Sequence, residues 1–193
     1  DWRRARRFPE QPAARLTRLL QMLSGTNTAV VRIRDRDELL AEACRIAHQV
    51  GGYSHAYIAL VDPGTRKARP VAWAGGDCDV LEQTTFTLSD TERDDTSVVS
   101  RVIRTGATFS CSNIDSASLP GMDREKLMER GVRSFACLPL TVDSTAVGAF
   151  MFGAPAQFAV SDEEMRLLQE VAANLSFALQ YLERQDTVRF LSY

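Results

Sequence analysis

The chain has 193 residues, of which 45% are hydrophobic, enough for one globular domain of ordinary size with appendages. Its net charge of −2 excludes a protein that binds nucleic acid through an overall basic surface. No apolar run is long enough to span a membrane and no secretion signal is visible, so we expect a cytoplasmic protein without membrane contact.

The first 34 residues are predicted to form a linker and then a helix. Residues 1–12 are rich in arginine and interrupted by prolines, a composition typical of linkers. Apolar side chains then recur at helical spacing and predict an amphipathic helix over residues 13–34, weakened around Gly25. The positions that carry this pattern are Leu16, Leu20, Leu23 and Val30.

A second helix and a first β-hairpin are predicted next. Asp35 can cap the helix with Glu38 three residues later, and the glycine pair at residues 51–52 ends it. Apolar runs over residues 56–61 and 68–74 then predict two strands, which a turn containing proline and glycine joins into a hairpin.

Residues 77–132 are predicted to hold short elements between loops. Residues 77–95 are acidic and show little periodicity, so we expect mostly loop there. Asp94 or Asp95 can cap the helix that follows, and Gly106 can end it. The short elements expected in this region are a helix at residues 96–104, a strand at residues 107–112 and a helix at residues 123–129.

Residues 133–152 are predicted to form a second hairpin, largely buried on both faces. Two apolar runs of strand length flank a polar turn at residues 143–145, and neither run alternates cleanly with polar residues. Pro139 cannot donate a hydrogen bond to a neighbouring strand, so we expect it at a bulge or near the end of its strand.

The C-terminal region, residues 161–193, is predicted to hold one long helix, from Asp162 to Leu191, and the start of a connector. Ser161 and Glu164 form the capping box that begins the helix. Its apolar side chains form two adjacent stripes. The first is Met165, Leu168, Ala172, Leu175, Leu179 and Leu182, and the second is Val171, Ala178 and Tyr181. Because one stripe suffices to pack on the domain, the second predicts contact with another copy of the chain. The side chains expected in this homodimer interface are Leu16, Leu20, Leu23, Leu168, Leu175, Leu179 and Leu182.

Hairpins combined with flanking helices predict an α+β fold. The order of these segments resembles the GAF domain, the small-molecule sensor module of signalling proteins. The segments that carry the resemblance are residues 35–40, 51–53, 56–62, 104–106, 113–115, 131–140, 147–150 and 158–163. The resemblance implies a PAS-like antiparallel sheet of five or six strands, with helices on both sides. It also implies a GAF core over residues 35–160 and a central position for the Pro139 strand.

The resemblance also implies a ligand pocket walled by the second strand, the loop at residues 113–122 and the strand that follows Gly131. The candidate ligand-binding residues are Trp73, Asn113, Asp115, Met122, Arg133, Ser134 and Phe135. Among these, Arg133 could pair with an anion and Trp73 could stack on a flat ring.

The residues that GAF domains use to bind three known types of ligand are incomplete or missing in this chain. Phe158, Asp162 and Glu163 match the second half of the pattern of cyclic-nucleotide-binding GAF domains, but the first half is missing. No cysteine is followed by the histidine that usually accompanies bilin attachment, and neither histidine lies in a context that suggests a haem ligand. No cofactor is therefore identified, and the ligand is expected to be an unknown small molecule.

The four cysteines, Cys44, Cys78, Cys111 and Cys137, form no CxxC pair and fit no zinc-binding spacing, so no metal site is expected. A few GAF domains reduce free methionine sulfoxide with a cysteine nucleophile and a second, resolving cysteine. The corresponding neighbourhoods here, residues 95–98 and 129–132, contain no cysteine. Thiol chemistry at Cys78 and Cys111 is the least favoured alternative.

We expect a non-enzymatic regulatory domain that senses a small molecule and acts on an output domain after Tyr193. Residues 188–193 resemble the connector that often precedes a GGDEF (diguanylate cyclase) domain. The resemblance therefore implies control of cyclic-di-GMP synthesis or degradation through a dimeric helical stalk, although a similar helix would also reach a histidine kinase. The alternative is a ligand-free dimerisation module whose pocket is filled by its own side chains.

Overall fold

The computed structural model describes residues 11–76, 78–95, 97–116, 119, 124–156 and 160–192. The strands are β1 (His55–Asp62), β2 (Lys67–Ala74), β3 (Phe86–Thr87), β4 (Phe109–Cys111), β5 (Ser134–Val142) and β6 (Thr145–Ala154). The helices are α1 (Pro12–Arg32), α2 (Arg36–Gln49), α3 (Cys78–Glu82), α4 (Val98–Thr105), α5 (Arg124–Glu129) and α6 (Asp162–Leu191). The six strands form one antiparallel sheet in the order β3-β2-β1-β6-β5-β4, which confirms the predicted α+β fold.

The helix termini follow the local sequence signals closely. The Asp35 carboxylate accepts a hydrogen bond from the Glu38 amide at 2.8 Å, and Ser161 Oγ accepts one from the Glu164 amide at 3.2 Å. α1 begins one residue earlier than predicted because Pro12 fits the first turn of a helix, where its missing N–H is not needed. Among the helices of the described residues, none is both long and apolar enough to cross a membrane.

The buried face of α1 differs from the predicted one. Leu19, Met22, Thr26 and Ala29 are buried, whereas Leu20 of the predicted stripe is 54% exposed. Leu16 and Leu23 lie at the edges of the buried face. α1 also runs without interruption past Gly25, where weakening was predicted. The helix packs against α2 and α6, and these neighbours select the face that is buried.

The acidic region is more ordered in secondary structure than predicted. It contains α3, the short strand β3 and a 3-10 turn at Glu92–Asp94. β3 extends the sheet at its edge, because Phe86 pairs with Ala68 of β2. The cap of α4 is Ser97, whose Oγ accepts a hydrogen bond from the Ser100 amide at 3.0 Å. Neither predicted cap fills this role, and the Asp95 carboxylate instead binds the Arg104 guanidinium.

The second hairpin forms as predicted, with β5 and β6 joined at Asp143 and Ser144, both of which have positive φ. Pro139 lies opposite Ala149 of β6, whereas β4 pairs only with residues 135–137. The missing N–H of Pro139 therefore interrupts no pairing with β4, and a bulge follows between Leu140 and Thr141. β5 is one strand from the edge of the sheet, so the expected central position is wrong and β1 with β6 occupies it.

Three long helices, α1, α2 and α6, cover one face of the sheet. The largest side chains between them and the strands are fully buried, and the rings of Phe150 and Phe152 lie 4.1 Å apart. Both predicted stripes of α6 contribute to this core, including Val171 and Ala178 of the second stripe. The interface candidates Leu168, Leu175, Leu179 and Leu182 are buried there too. A contact of α6 with a second copy would have to use other side chains.

Candidate functional site

A cavity of about 510 Å³ lies on the opposite face of the sheet. Tyr57 of β1 and Met151 of β6 form its floor. Its walls come from α3, β3, the start of α4, α5 and the residues that adjoin them. The wall residues are Val80, Gln83, Thr84, Thr85, Phe86, Ser97, Val98, Val99, Lys126, Leu127 and Arg130. The volume is within the usual range for sites that bind small molecules.

A second, smaller cavity of about 30 Å³ adjoins the first. The two share Tyr57, Leu127, Arg130 and Met151, and the smaller one reaches His55 at the start of β1. Arg130 therefore stands where the two cavities meet.

The cavity walls carry basic side chains and no acidic ones among the described lining residues. Lys126 lies in α5 and Arg130 directly follows it. Burial is the main reason that the pKa of His55 is lowered, and the positive charge of Arg130 lowers that pKa further. Burial raises the pKa of Tyr57, which keeps its hydroxyl protonated as a hydrogen-bond donor at neutral pH.

Two aromatic rings stand side by side at the cavity. The rings of Tyr57 and Phe86 are nearly parallel, with an interplanar angle of 4° and a centroid distance of 6.2 Å. β1 and β3 hold them from opposite sides of β2. The site therefore combines a flat apolar surface with positive charge and hydroxyl donors, an arrangement suited to binding a small molecule.

A sequence model of the GAF domain matches residues 33–180 of the chain. The chain belongs to the GAF domain family. This family consists of sensor and regulatory modules, and its fold agrees with the six-stranded antiparallel sheet described above. No curated protein matches the chain significantly.

Solved structures share the fold of this GAF domain at low sequence identity. A free methionine-R-sulfoxide reductase from Neisseria meningitidis, solved with its substrate, is 16% identical with a TM-score of 0.73, and the match covers 94% of this chain and 98% of that one. The GAF domain of a phosphoenolpyruvate-protein phosphotransferase from Coxiella burnetii is 10% identical, with a TM-score of 0.74 and coverage of 89% and 98%. A domain of a putative sensor histidine kinase from Sinorhizobium meliloti is 19% identical, with a TM-score of 0.61 and coverage of 79% and 96%.

None of the six described candidates for ligand binding lines this cavity of the GAF domain. Trp73 is partly buried beside the core on the cavity side. Ser134 is buried and donates a hydrogen bond to the Ala156 carbonyl at 2.7 Å, and Phe135 is buried against Phe109. The Ser134 hydroxyl is thus engaged in this hydrogen bond, and the Phe135 ring is engaged in packing.

The remaining candidates form a separate, exposed group at one end of β5. Arg133 pairs with the Asp115 carboxylate at 3.1 Å, and Asn113 Oδ1 accepts a hydrogen bond from the Asp115 amide at 2.9 Å. The structure thus brings these three residues together, but as a loop anchor and not as part of the cavity. Met122 lies outside the described residues, as does Phe158 of the partial cyclic-nucleotide pattern.

The sequence contained signals for three of the lining residues that we did not predict. Tyr57 lies between Ala56 and Ile58 of β1, so strand alternation puts it on the face opposite theirs. Lys126 and Arg130 are four residues apart, which puts both on one side of α5 and its last turn. The contribution of Phe86 depended on the edge pairing of β3, which has no clear local signal.

The three cysteines whose side chains the structure describes give no support to thiol chemistry in this GAF domain. Cys44 and Cys137 are buried, and burial raises the pKa of both thiols, which disfavours the reactive thiolate. Cys111 is buried in β4. The Cys78 side chain lies outside the described part of the chain.

Proposed function

We propose that this GAF domain is a cytoplasmic sensor that binds a small molecule in the cavity above Tyr57 and Met151. Binding there changes the packing of the terminal helices against the sheet. The observation that carries this proposal is the cavity of about 510 Å³ between the sheet and the short helices. A ligand-free dimerisation module would be expected to fill this space with its own side chains, so the open cavity favours a sensor over that alternative.

The central strands offer a direct route from the cavity to the helices. Met151 faces the cavity, while Phe150 and Phe152 on either side of it are buried among α1, α2 and α6. β1 repeats this arrangement, with Tyr57 on the cavity side and Ile58 on the helix side. Because successive side chains of one strand point to opposite faces, a ligand that shifts β1 or β6 also shifts the packing under α6.

Hydrogen bonds strengthen this route at the hairpin of β5 and β6. The Thr141 amide donates to Ser176 Oγ of α6 at 3.0 Å. At the turn, Arg184 Nη2 of α6 donates to the Asp143 carboxylate at 3.2 Å. The hairpin is therefore attached to the middle of α6 and near its C-terminal end, so that movement of one is expected to move the other.

We further propose that α6 is part of a dimeric stalk to an output domain that makes or degrades cyclic-di-GMP. Beyond Leu182 the helix leaves the core, and Val188, Phe190 and Leu191 are exposed. The resemblance of residues 188–193 to a connector before GGDEF domains supports this type of output. A ligand would act by favouring one of two arrangements of the stalk.

The test of ligand binding is native mass spectrometry of the protein purified from its own cells. We expect a bound small molecule on the wild type and its loss from Met151→Trp, because the larger side chain fills the floor of the cavity. Phe177→Trp adds the same indole at a position of α6 that is 71% exposed and should retain the molecule. A wild type without bound molecule, or equal retention by both variants, contradicts the proposed sensor.

The output is tested separately in the full-length protein. Formation of cyclic-di-GMP from GTP, and its hydrolysis, are measured for the wild type, Met151→Trp and Val71→Trp, the last being a control at an exposed residue of β2 that lines neither cavity. We expect one of the two activities, altered in the cavity variant only. If neither activity is detected, the proposed cyclic-di-GMP output is wrong, although the ligand proposal is unaffected.

A further inference from the structure

Arg130 is the most informative charged side chain of the cavity. It lines both the larger and the smaller cavity, and within the described part of the chain no carboxylate pairs with it. Its charge lies close enough to Tyr57 and His55 to act on the ionisation of both. A guanidinium in a concave, partly apolar site attracts anions more strongly than one on an open surface, because less water screens its charge.

The side chains around Arg130 also favour a negatively charged ligand. Lys126 adds a second positive charge to the larger cavity, and the described lining residues contain no aspartate or glutamate. Ser97 adds a hydroxyl group that can donate a hydrogen bond, since its Oγ only accepts one from the Ser100 amide. A neutral or cationic ligand would leave the Arg130 guanidinium without an anionic group among the described lining residues.

The apolar part of the cavity indicates that the ligand is more than a simple inorganic ion. Tyr57 and Phe86 present nearly parallel rings, and Val98, Leu127 and Met151 extend the apolar surface. A ring or short hydrocarbon chain bound there would remove this surface from water, which contributes roughly 25 cal/mol for each Å² buried.

We propose that the cavity binds a small organic anion, whose carboxylate or phosphate pairs with Arg130 and whose apolar body lies against Tyr57 and Phe86. This inference rests on the proposed sensor function, because it concerns the same cavity, and it narrows the class of ligand. Arginine can hold either anion through two parallel hydrogen bonds, so carboxylate and phosphate share one recognition chemistry.

The test compares probes that differ in charge but little in shape. Binding of benzoate, benzamide, phenyl phosphate and inorganic phosphate to the purified domain is measured by calorimetry, with thermal unfolding as a second readout. We expect benzoate or phenyl phosphate to bind at least about 10-fold more tightly than benzamide, since hydrogen bonds to charged groups exceed neutral ones by this order. We also expect inorganic phosphate alone to bind more weakly than phenyl phosphate.

Three variants test whether Arg130 causes the preference for anionic probes. Arg130→Gln should weaken binding of the anionic probe by on the order of 10- to 100-fold and leave benzamide unaffected. Arg130→Lys keeps the charge and should retain part of the preference. Arg124→Gln is the matched control, because Arg124 lies in α5 but lines neither cavity. Thermal unfolding without probe confirms that each variant is folded.

The outcomes separate this inference from the proposed sensor function. Equal binding of benzoate and benzamide, binding of none of the probes, or an unchanged preference in Arg130→Gln overturns the anion proposal. Inorganic phosphate that binds as tightly as phenyl phosphate overturns the role given to Tyr57 and Phe86. In each case the mass-spectrometric search for a retained molecule still decides independently whether the cavity is a ligand site.

Discussion

The two faces of the sheet are covered by helices of very different length. On one face α1, α2 and α6 have 21, 14 and 30 residues, and on the other α3, α4 and α5 have 5, 8 and 6. Long amphipathic helices can align their apolar stripes with the sheet and pack closely against it. Short helices joined by loops cover a sheet less completely, and the cavity of about 510 Å³ lies beneath them.

This contrast leads us to propose that stability and ligand binding depend on opposite sides of the same strands. In β6, Phe150 and Phe152 belong to the core under the long helices, and Met151 between them forms the cavity floor. A change at the floor is therefore expected to affect binding first, whereas a change on the helix side is expected to affect folding first.

The largest effect is expected on the helix side. Phe150→Ala removes a fully buried ring and should lower the free energy of unfolding by about 3–5 kcal/mol, because part of the resulting cavity stays empty. Urea unfolding measures the loss. Phe177→Ala removes an equally large but exposed ring from α6 and should change this free energy by less than about 0.5 kcal/mol. Equal losses from the two variants would contradict the assignment of the core to this face.

A smaller loss is expected from the ion pair on the cavity side. The buried Asp95 carboxylate accepts hydrogen bonds from Arg104 Nη2 at 2.7 Å and Ser89 Oγ at 2.5 Å, and the bond with Arg104 is the main reason that its pKa is lowered. Asp95→Asn should therefore reduce stability at pH 7, though less than Phe150→Ala does. The control is Asp94→Asn, an exposed neighbour that should have little effect.

The pH dependence of this loss has a defined sign. Because the pKa of Asp95 is lower in the folded protein than in the unfolded chain, its stabilising contribution is complete above the ordinary carboxyl value. That contribution disappears as the pH falls through the lowered value. The stability difference between wild type and Asp95→Asn should thus be largest near pH 7 and shrink below about pH 4. A difference that stays constant from pH 7 to pH 3 would contradict this account.

The outer surface of the long helices provides a test of the dimer. Leu20 of α1 and Phe177 of α6 are 54% and 71% exposed, so they can contact a second copy without unfolding the first. Leu20→Asp with Phe177→Asp should weaken self-association by about 10-fold or more if both belong to the interface. Sedimentation measures the change, and Val71→Asp on β2 is the control for an exposed apolar residue. A monomeric wild type, or an unchanged dimer, would show that the stalk proposal is wrong.

The smallest effects are expected at the helix caps, one on each face. Ser97→Ala and Ser161→Ala should each reduce the free energy of unfolding by about 1 kcal/mol, because each removes the acceptor for an N-terminal amide. Only Ser97 lines the cavity, so only its variant should also weaken binding of the retained molecule, as measured by native mass spectrometry. Equal weakening by both variants would break the proposed separation between the two faces.

The predicted elements that the structure confirms depend on interactions between near neighbours. Asp35 and Ser161 cap their helices through contacts three residues away, and the turn at residues 143–144 lies between two strands adjacent in the chain. The predictions that the structure contradicts concern contacts between residues that are farther apart in the chain. The buried face of α1 was set by α2 and α6, and Asp95 was diverted from capping by Arg104.

The candidate site was harder to predict than the fold for the same reason. Asn113, Asp115 and Arg133 are polar residues in suitable segments, but they bind one another on the surface. The cavity instead joins residues from β1, β3, β6 and the ends of α4 and α5, which are far apart in the chain. Spacing within one segment cannot show which of these side chains meet.

The sequence by itself determined the α+β class, the order of most elements and the starts of α2 and α6. These properties are encoded by local periodicity, capping residues and turn residues. The tertiary structure alone decided which face of each element is buried, where β3 pairs, and that Arg130 meets Tyr57 at a cavity. Such choices depend on packing between segments that are distant in the chain, because a side chain's surroundings are set only when the sheet and its helices come together.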